Sequence, residues 1–98
     1  MMVEAELRRL KGELLLLGNP DAAPLATRSF REAIEVARRQ SAKSWELRAT
    51  TSLARLLASQ GRRDEARTML TDIYNWFTEG FATADLKAAK TLLDHLAH

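Results

Sequence analysis

The chain contains no cysteine, which excludes disulfide staples, thiolate nucleophiles and sulfur-ligated zinc and fits a reducing, cytoplasmic setting. Proline occurs twice and glycine four times, so few positions can interrupt a regular backbone. Valine and isoleucine are also scarce, at Val3, Ile34, Val36 and Ile73 only. With so few β-branched aliphatic residues a sheet has little to build on, and alanine, leucine, arginine and glutamate favour helix. The longest leucine run, "LLLL" at 14–17, cannot cross a bilayer, and no signal-peptide core precedes it. Nor is there an excess of charge of one sign. Fifteen Lys and Arg stand against thirteen Asp and Glu. Despite a pI near 9.4, a net charge of +2 spread along the chain is too small to imply nucleic-acid binding. What remains is one soluble all-α domain over residues 1–98, with 46% hydrophobic residues to form a single core.

Period and punctuation predict five helices. The first spans about 3–17, with Val3, Leu7, Leu10, Leu14 and Leu17 on a stripe expected to face inward. "GNPD" ends it, and Asp21 is placed to cap a second helix over 22–40 that buries Ala26, Phe30, Ala33, Ile34 and Ala37. A joint at 41–44, with Ser44 as a cap, leads to a third helix reaching residue 60. Its rows are Trp45, Ala49, Leu53 and Leu57, flanked by Leu47, Ala54 and Ala58. Gly61 closes that helix. A fourth runs to 78, burying Ala66, Leu70, Ile73 and Phe77, and Gly80 stops it. Thr83 caps a fifth over 84–96, whose Asp85, Lys87, Lys90 and Asp94 stay wet. Trp45 and Trp76 are expected to be buried and structural.

Short joints make consecutive helices antiparallel, giving hairpins over 3–40 and 44–78 and a capping helix over 83–97. The hairpins resemble each other. "ATRSFREAIEVA" (26–37) and "ARTMLTDIYNWF" (66–77) align at an offset of forty, matching Ala26 with Ala66, Phe30 with Leu70 and Ala33 with Ile73. This resembles the tetratricopeptide repeat, whose usual period is about 34 residues, and implies an α-α superhelix. In addition "LRRLKGELLL", "FREAIEVARRQSAKSWELRATTSLARLLASQGRRDEAR" and "IYNWFTEGFATADLKAAKTLLDHL" look like the C-terminal repeat region of large bacterial signalling proteins. In that family a predicted NTPase precedes the repeats, often with a class III nucleotide cyclase or a DNA-binding regulator domain. The resemblance implies a scaffold role alone, because this chain has no phosphate-binding loop and no cyclase aspartate pair.

No catalytic constellation is present, so no enzyme, metal or cofactor is expected. Asp64 and Glu65 are sequence neighbours and diverge on a helix. His95 and His98 lack further ligands. The expected role is protein–protein interaction. In stacked hairpins the first helices line a concave face, and on the third helix Arg48, Thr51, Ser52, Arg55 and Ser59 fall off the apolar rows as candidates to hold a protein or peptide partner, an acidic one given the arginines. The alternative is nucleic-acid binding through Arg28, Arg31, Arg38, Arg39 and Lys43 on the second helix, where Glu32 and Glu35 are interspersed. A homodimer is expected through the first helix, with Ala5 and Gly12 on its outer face as a close-approach surface and Leu15 and Leu16 beside them.

Overall fold

In the computed structural model, residues 3–77 and 83–97 are described. α1 (Val3–Gly18) ends where Asn19 takes extended backbone and its side chain accepts the Asp21 amide at 3.0 Å. That bond opens a 3-10 turn, Pro20–Ala22, which leads into α2 (Ala23–Arg39). Asp21 therefore lies inside the turn, and Ala22, with no side-chain bond, caps α2. Pro24 sits in the first turn of α2, where a missing N–H costs little.

The next two joints close in the same way. Ser41 adopts φ 53 and Gly61 φ 81, and in each case the following amide reaches back five residues, Ala42 to the Ala37 carbonyl at 2.8 Å and Arg62 to the Leu57 carbonyl at 2.9 Å. This is the left-handed helix stop that glycine favours. Serine takes it once. α3 (Lys43–Ser59) starts directly after Ala42, so Ser44 is an exposed residue of its first turn rather than its cap. α4 (Arg63–Tyr74) is shorter than its pattern predicts. Trp76 and Phe77 bond to carbonyls three residues back, tightening and ending the helix before Trp76. Trp76 is consequently 56% exposed, contrary to expectation, and Trp45 is only half-buried, against Ala5, Val36, Ala37 and Ala42. Gly80, expected to stop this helix, lies outside the described residues, as does His98. α5 (Ala84–Leu96) begins as expected, with the Thr83 hydroxyl accepting the Leu86 amide at 3.2 Å.

Consecutive helices pack on one another, and α3 touches all four others. α1, α3 and α5 lie side by side, whereas α2 and α4 each pack on α3 without meeting. The result is a slab of 38 × 37 × 19 Å, about two helix diameters thick. Helix starts recur at the sequence offset in α2 and α4, which begin at 23 and 63. All six residues aligned by that offset, Ala26, Phe30, Ala33, Ala66, Leu70 and Ile73, are core residues. No helix among the described residues is long and apolar enough to cross a membrane.

α1 reverses the expectation for its faces. Ala5 is 1% exposed and Gly12 is buried, whereas Leu14 and Leu17 are 67% and 83% exposed and Val3, Leu7 and Leu10 are exposed with them. The cause is Phe30. Its ring, fully buried on α2, lies so close to α1 that a Cβ on Gly12 would meet ring carbons at 2.5 and 2.8 Å. Only the small-residue face fits there. Leu15 and Leu16, on either side of Gly12, pack against the main core. Ala5, Gly12, Leu15 and Leu16 are thus interior or half-buried packing residues and offer no free face to a second copy.

Candidate functional site: a groove over the third helix

Positions 48, 51, 52, 55 and 59 share one side of α3, and the structure brings Arg48, Thr51, Ser52, Arg55 and Ser59 into one groove between α1 and α5. They do not all project into it. Thr51 and Ser52 are buried, with Thr51 Oγ1 donating to the Leu47 carbonyl at 2.8 Å and Arg9 Nη1 donating to Ser52 Oγ at 3.3 Å. They form the floor. Arg55 and Ser59 are exposed, and the Ser59 hydroxyl donates to the Leu56 carbonyl at 2.6 Å. Arg55 makes no ion pair with any described residue.

Arg48 is committed within the chain. Its Nε and Nη2 donate to the two carboxylate oxygens of Asp85 at 3.1 and 3.0 Å, and Nη1 donates to Glu6 Oε2 at 2.6 Å. Its guanidinium also lies 5.0 Å from the centre of the Trp45 ring. One side chain of α3 thereby ties α1 to α5. Arg9 adds a second fork on Glu6, with Nε at 2.6 Å and Nη2 at 3.2 Å. Asp85, expected to be wet, is half-buried by this link. Glu6 and Arg9 were not singled out from the sequence, and Asp85 only as a wet residue of α5. The i,i+3 spacing of Glu6 and Arg9 was a visible signal, but the pairing of Arg48 with two other helices depends on how the helices stack.

The groove holds two adjoining hollows. One, of about 240 Å³, lies between Arg9, Arg48 and Asp85, and the other, of about 440 Å³, between Leu16, Ala23, Leu56 and Gln60. Ser52 and Arg55 line both. The outline is an open trough, polar at the end near α5 and apolar toward the α1–α2 turn. It suits an extended segment better than a compact small molecule, which calls for a pocket that encloses most of the ligand.

Burial works against charge on Glu6, but hydrogen bonds from Arg9 and Arg48 outweigh it and hold the carboxyl below its ordinary value of 4.5. A carboxylate depressed on folding stabilises the native state fully above the unfolded value, and that contribution is lost as pH falls through the folded value. Glu6→Gln should therefore be less stable than wild type at pH 7. The difference should shrink on acidification below 4.5. Urea unfolding of both proteins at pH 7 and at about pH 3 checks this, and a difference that stays constant would show that Glu6 is not held ionised by its arginines.

The basic strip expected on α2 is interrupted. Arg38 Nε and Lys43 Nζ reach the buried Glu46 carboxylate at 3.0 and 3.4 Å, and Glu32 accepts Arg8 at 2.7 Å. Arg28, Arg31 and Arg39 remain exposed. Among the described residues, no group of three His, Cys, Asp or Glu is placed to share a metal ion. Comparison with protein-family models, with curated proteins and with solved structures gives no match for this chain.

Proposed function

We propose that the chain is a non-enzymatic protein-interaction module, two tetratricopeptide-like hairpins and a capping helix, that holds an extended partner segment in the groove over α3. The observation that carries this reading is the trough itself, where exposed Arg55 stands over a buried Ser52 floor between two adjoining hollows. The recurrence of the α2 and α4 starts at an offset of forty supports the repeat architecture. So does the layering, with α1, α3 and α5 side by side as the first helices of successive units. A role as the repeat region of a signalling protein is consistent with both.

The chemistry of the partner follows from which charges are spent. Arg9 and Arg48 are neutralised by Glu6 and Asp85, leaving Arg55 to meet an acidic side chain. The apolar hollow beside Leu16 and Leu56 takes an apolar one a few residues away. A displayed library of random 12-residue peptides, selected on the full chain, should enrich sequences with an acidic residue near an aliphatic one. Arg55→Glu should weaken the enriched peptides about tenfold or more, since a like charge replaces the pairing one. Peptides that bind Arg55→Glu equally well contradict the groove as their site. Nucleic-acid binding through Arg28, Arg31 and Arg39 is separated by titrating a generic 20-base-pair DNA duplex, where phosphate contacts give affinity that falls steeply with salt.

A further inference from the structure

Apart from Trp76, every large hydrophobic side chain left exposed among the described residues lies on one ridge. Val3, Leu7, Leu10, Leu14 and Leu17 follow one another along α1, and Leu25 of α2 flanks the same hollow as Leu7, Leu10 and Leu14. The steps along α1 are four, three, four and three residues. This is the 3.5-residue period of a seam between two helices that wind around each other. A helix packing only on its own core has no need of it, and here the core is met by the opposite face, through Ala5 and Gly12.

We propose that this seam is a self-association surface, on which α1 of one copy pairs with α1 of a second, antiparallel about a two-fold axis. The proposal does not depend on the groove. A second copy is the occupant because the rest of the described surface has no apolar counterpart. Lys87, Lys90, Thr91 and Asp94 make the outside of α5 polar, and Trp76 is already engaged, with the Phe77 ring edge-on at 5.1 Å and Lys43 5.5 Å from its ring centre. Among the described residues the only surface that matches the seam is the seam, which is the condition for a two-fold interface. The exposed parts of the six ridge residues amount to about 600 Å² per copy, so complete coverage would bury about 1,200 Å² for the pair, the lower bound of stable interfaces.

The flanking charges choose the register. With Leu7 against Leu10 of the second copy and Val3 against its Leu14, Glu4, which also pairs with Arg8 of its own copy at 3.1 Å, faces Lys11 on both sides of the axis. A slide of one heptad would set Lys11 against Lys11 and Glu13 against Glu13, which like charges disfavour. On the opposite edge this register sets Glu6 against Glu13 of the second copy, a like-charge contact eased because Glu6 is already neutralised by Arg9 and Arg48. Because that edge borders the groove, pairing would set two grooves side by side and allow bivalent capture of a partner.

Sedimentation equilibrium of the full chain at about 50 μM should give twice its 11.0 kDa mass. Leu14→Glu alters an exposed side chain, so helicity and melting of the monomer should be unchanged while the dimer dissociation constant rises at least about 100-fold. Lys11→Glu should weaken pairing about tenfold, and Glu4→Lys combined with Lys11→Glu should restore it. A monomer at about 200 μM, or a dimer equally tight with Leu14→Glu, overturns the proposal. Insensitivity to both charge variants overturns the antiparallel register. Groove peptides should bind monomeric Leu14→Glu with the same affinity per site, so failure of either reading is visible apart from the other.

Discussion

Phe30→Ala should lower the free energy of unfolding by about 4 kcal/mol, a large part of what holds a chain of this length together. The ring is fully buried at the centre of the main core, and α1 presents a glycine to it. Truncating it leaves a hole that Gly12, having no side chain, cannot move in to fill. Gly12→Leu alone should also be costly, about 3 kcal/mol. Its first carbon already falls within 2.5 Å of a ring that neighbouring side chains hold in place, and the gain in helix propensity of about 1 kcal/mol is too small to offset the crowding. The double variant should be more stable than the sum of the two losses, because leucine from α1 enters the space that the ring vacates. Urea unfolding of the four proteins measures all three quantities. Strict additivity would show that the two positions do not share space.

This contact also marks the limit of what the sequence discloses. In the second hairpin the core rows follow their patterns, although α4 stops before Trp76. Leu53 and Leu57 of α3, and Ala66 and Leu70 of α4, are buried as their spacing requires, and Thr83 caps α5. α3 is more enclosed than its pattern suggests, because it touches four helices and buries Thr50, Thr51 and Ser52 along with its leucines. α1 misleads because it carries two coherent stripes, one of leucines and one of small residues. Hydrophobicity alone assigns the leucines to the interior. What decides the matter is the size of a side chain on another helix, Phe30, and no local pattern reports that. The groove was legible in part for a similar reason. The positions of Arg48, Thr51, Ser52, Arg55 and Ser59 on one side of α3 follow from spacing, but the capture of Arg48 by Glu6 and Asp85 depends on how α1 and α5 are laid beside it. The joint beginning at Ser41 was legible but its left-handed backbone was not, because serine carries no strong signal for the conformation that glycine adopts at 61.

The orientation of α1 underlies both the core and the proposed pairing surface, and the absence of cysteine makes it directly measurable. A single thiol placed in an otherwise thiol-free chain reacts with a soluble reagent at a rate set by how often it meets water. At about 1 μM, where monomers dominate an interface of this size, the Leu14→Cys thiol should react within a few-fold of its rate in the urea-unfolded chain. The Ala5→Cys thiol, in a position 1% exposed and packed with Val36, Ala37 and Ala42, should react at least about 100-fold more slowly than in the unfolded chain, because it must wait for α1 to open. The opposite order, with position 14 protected and position 5 reactive, would put the leucine stripe in the core and contradict the account.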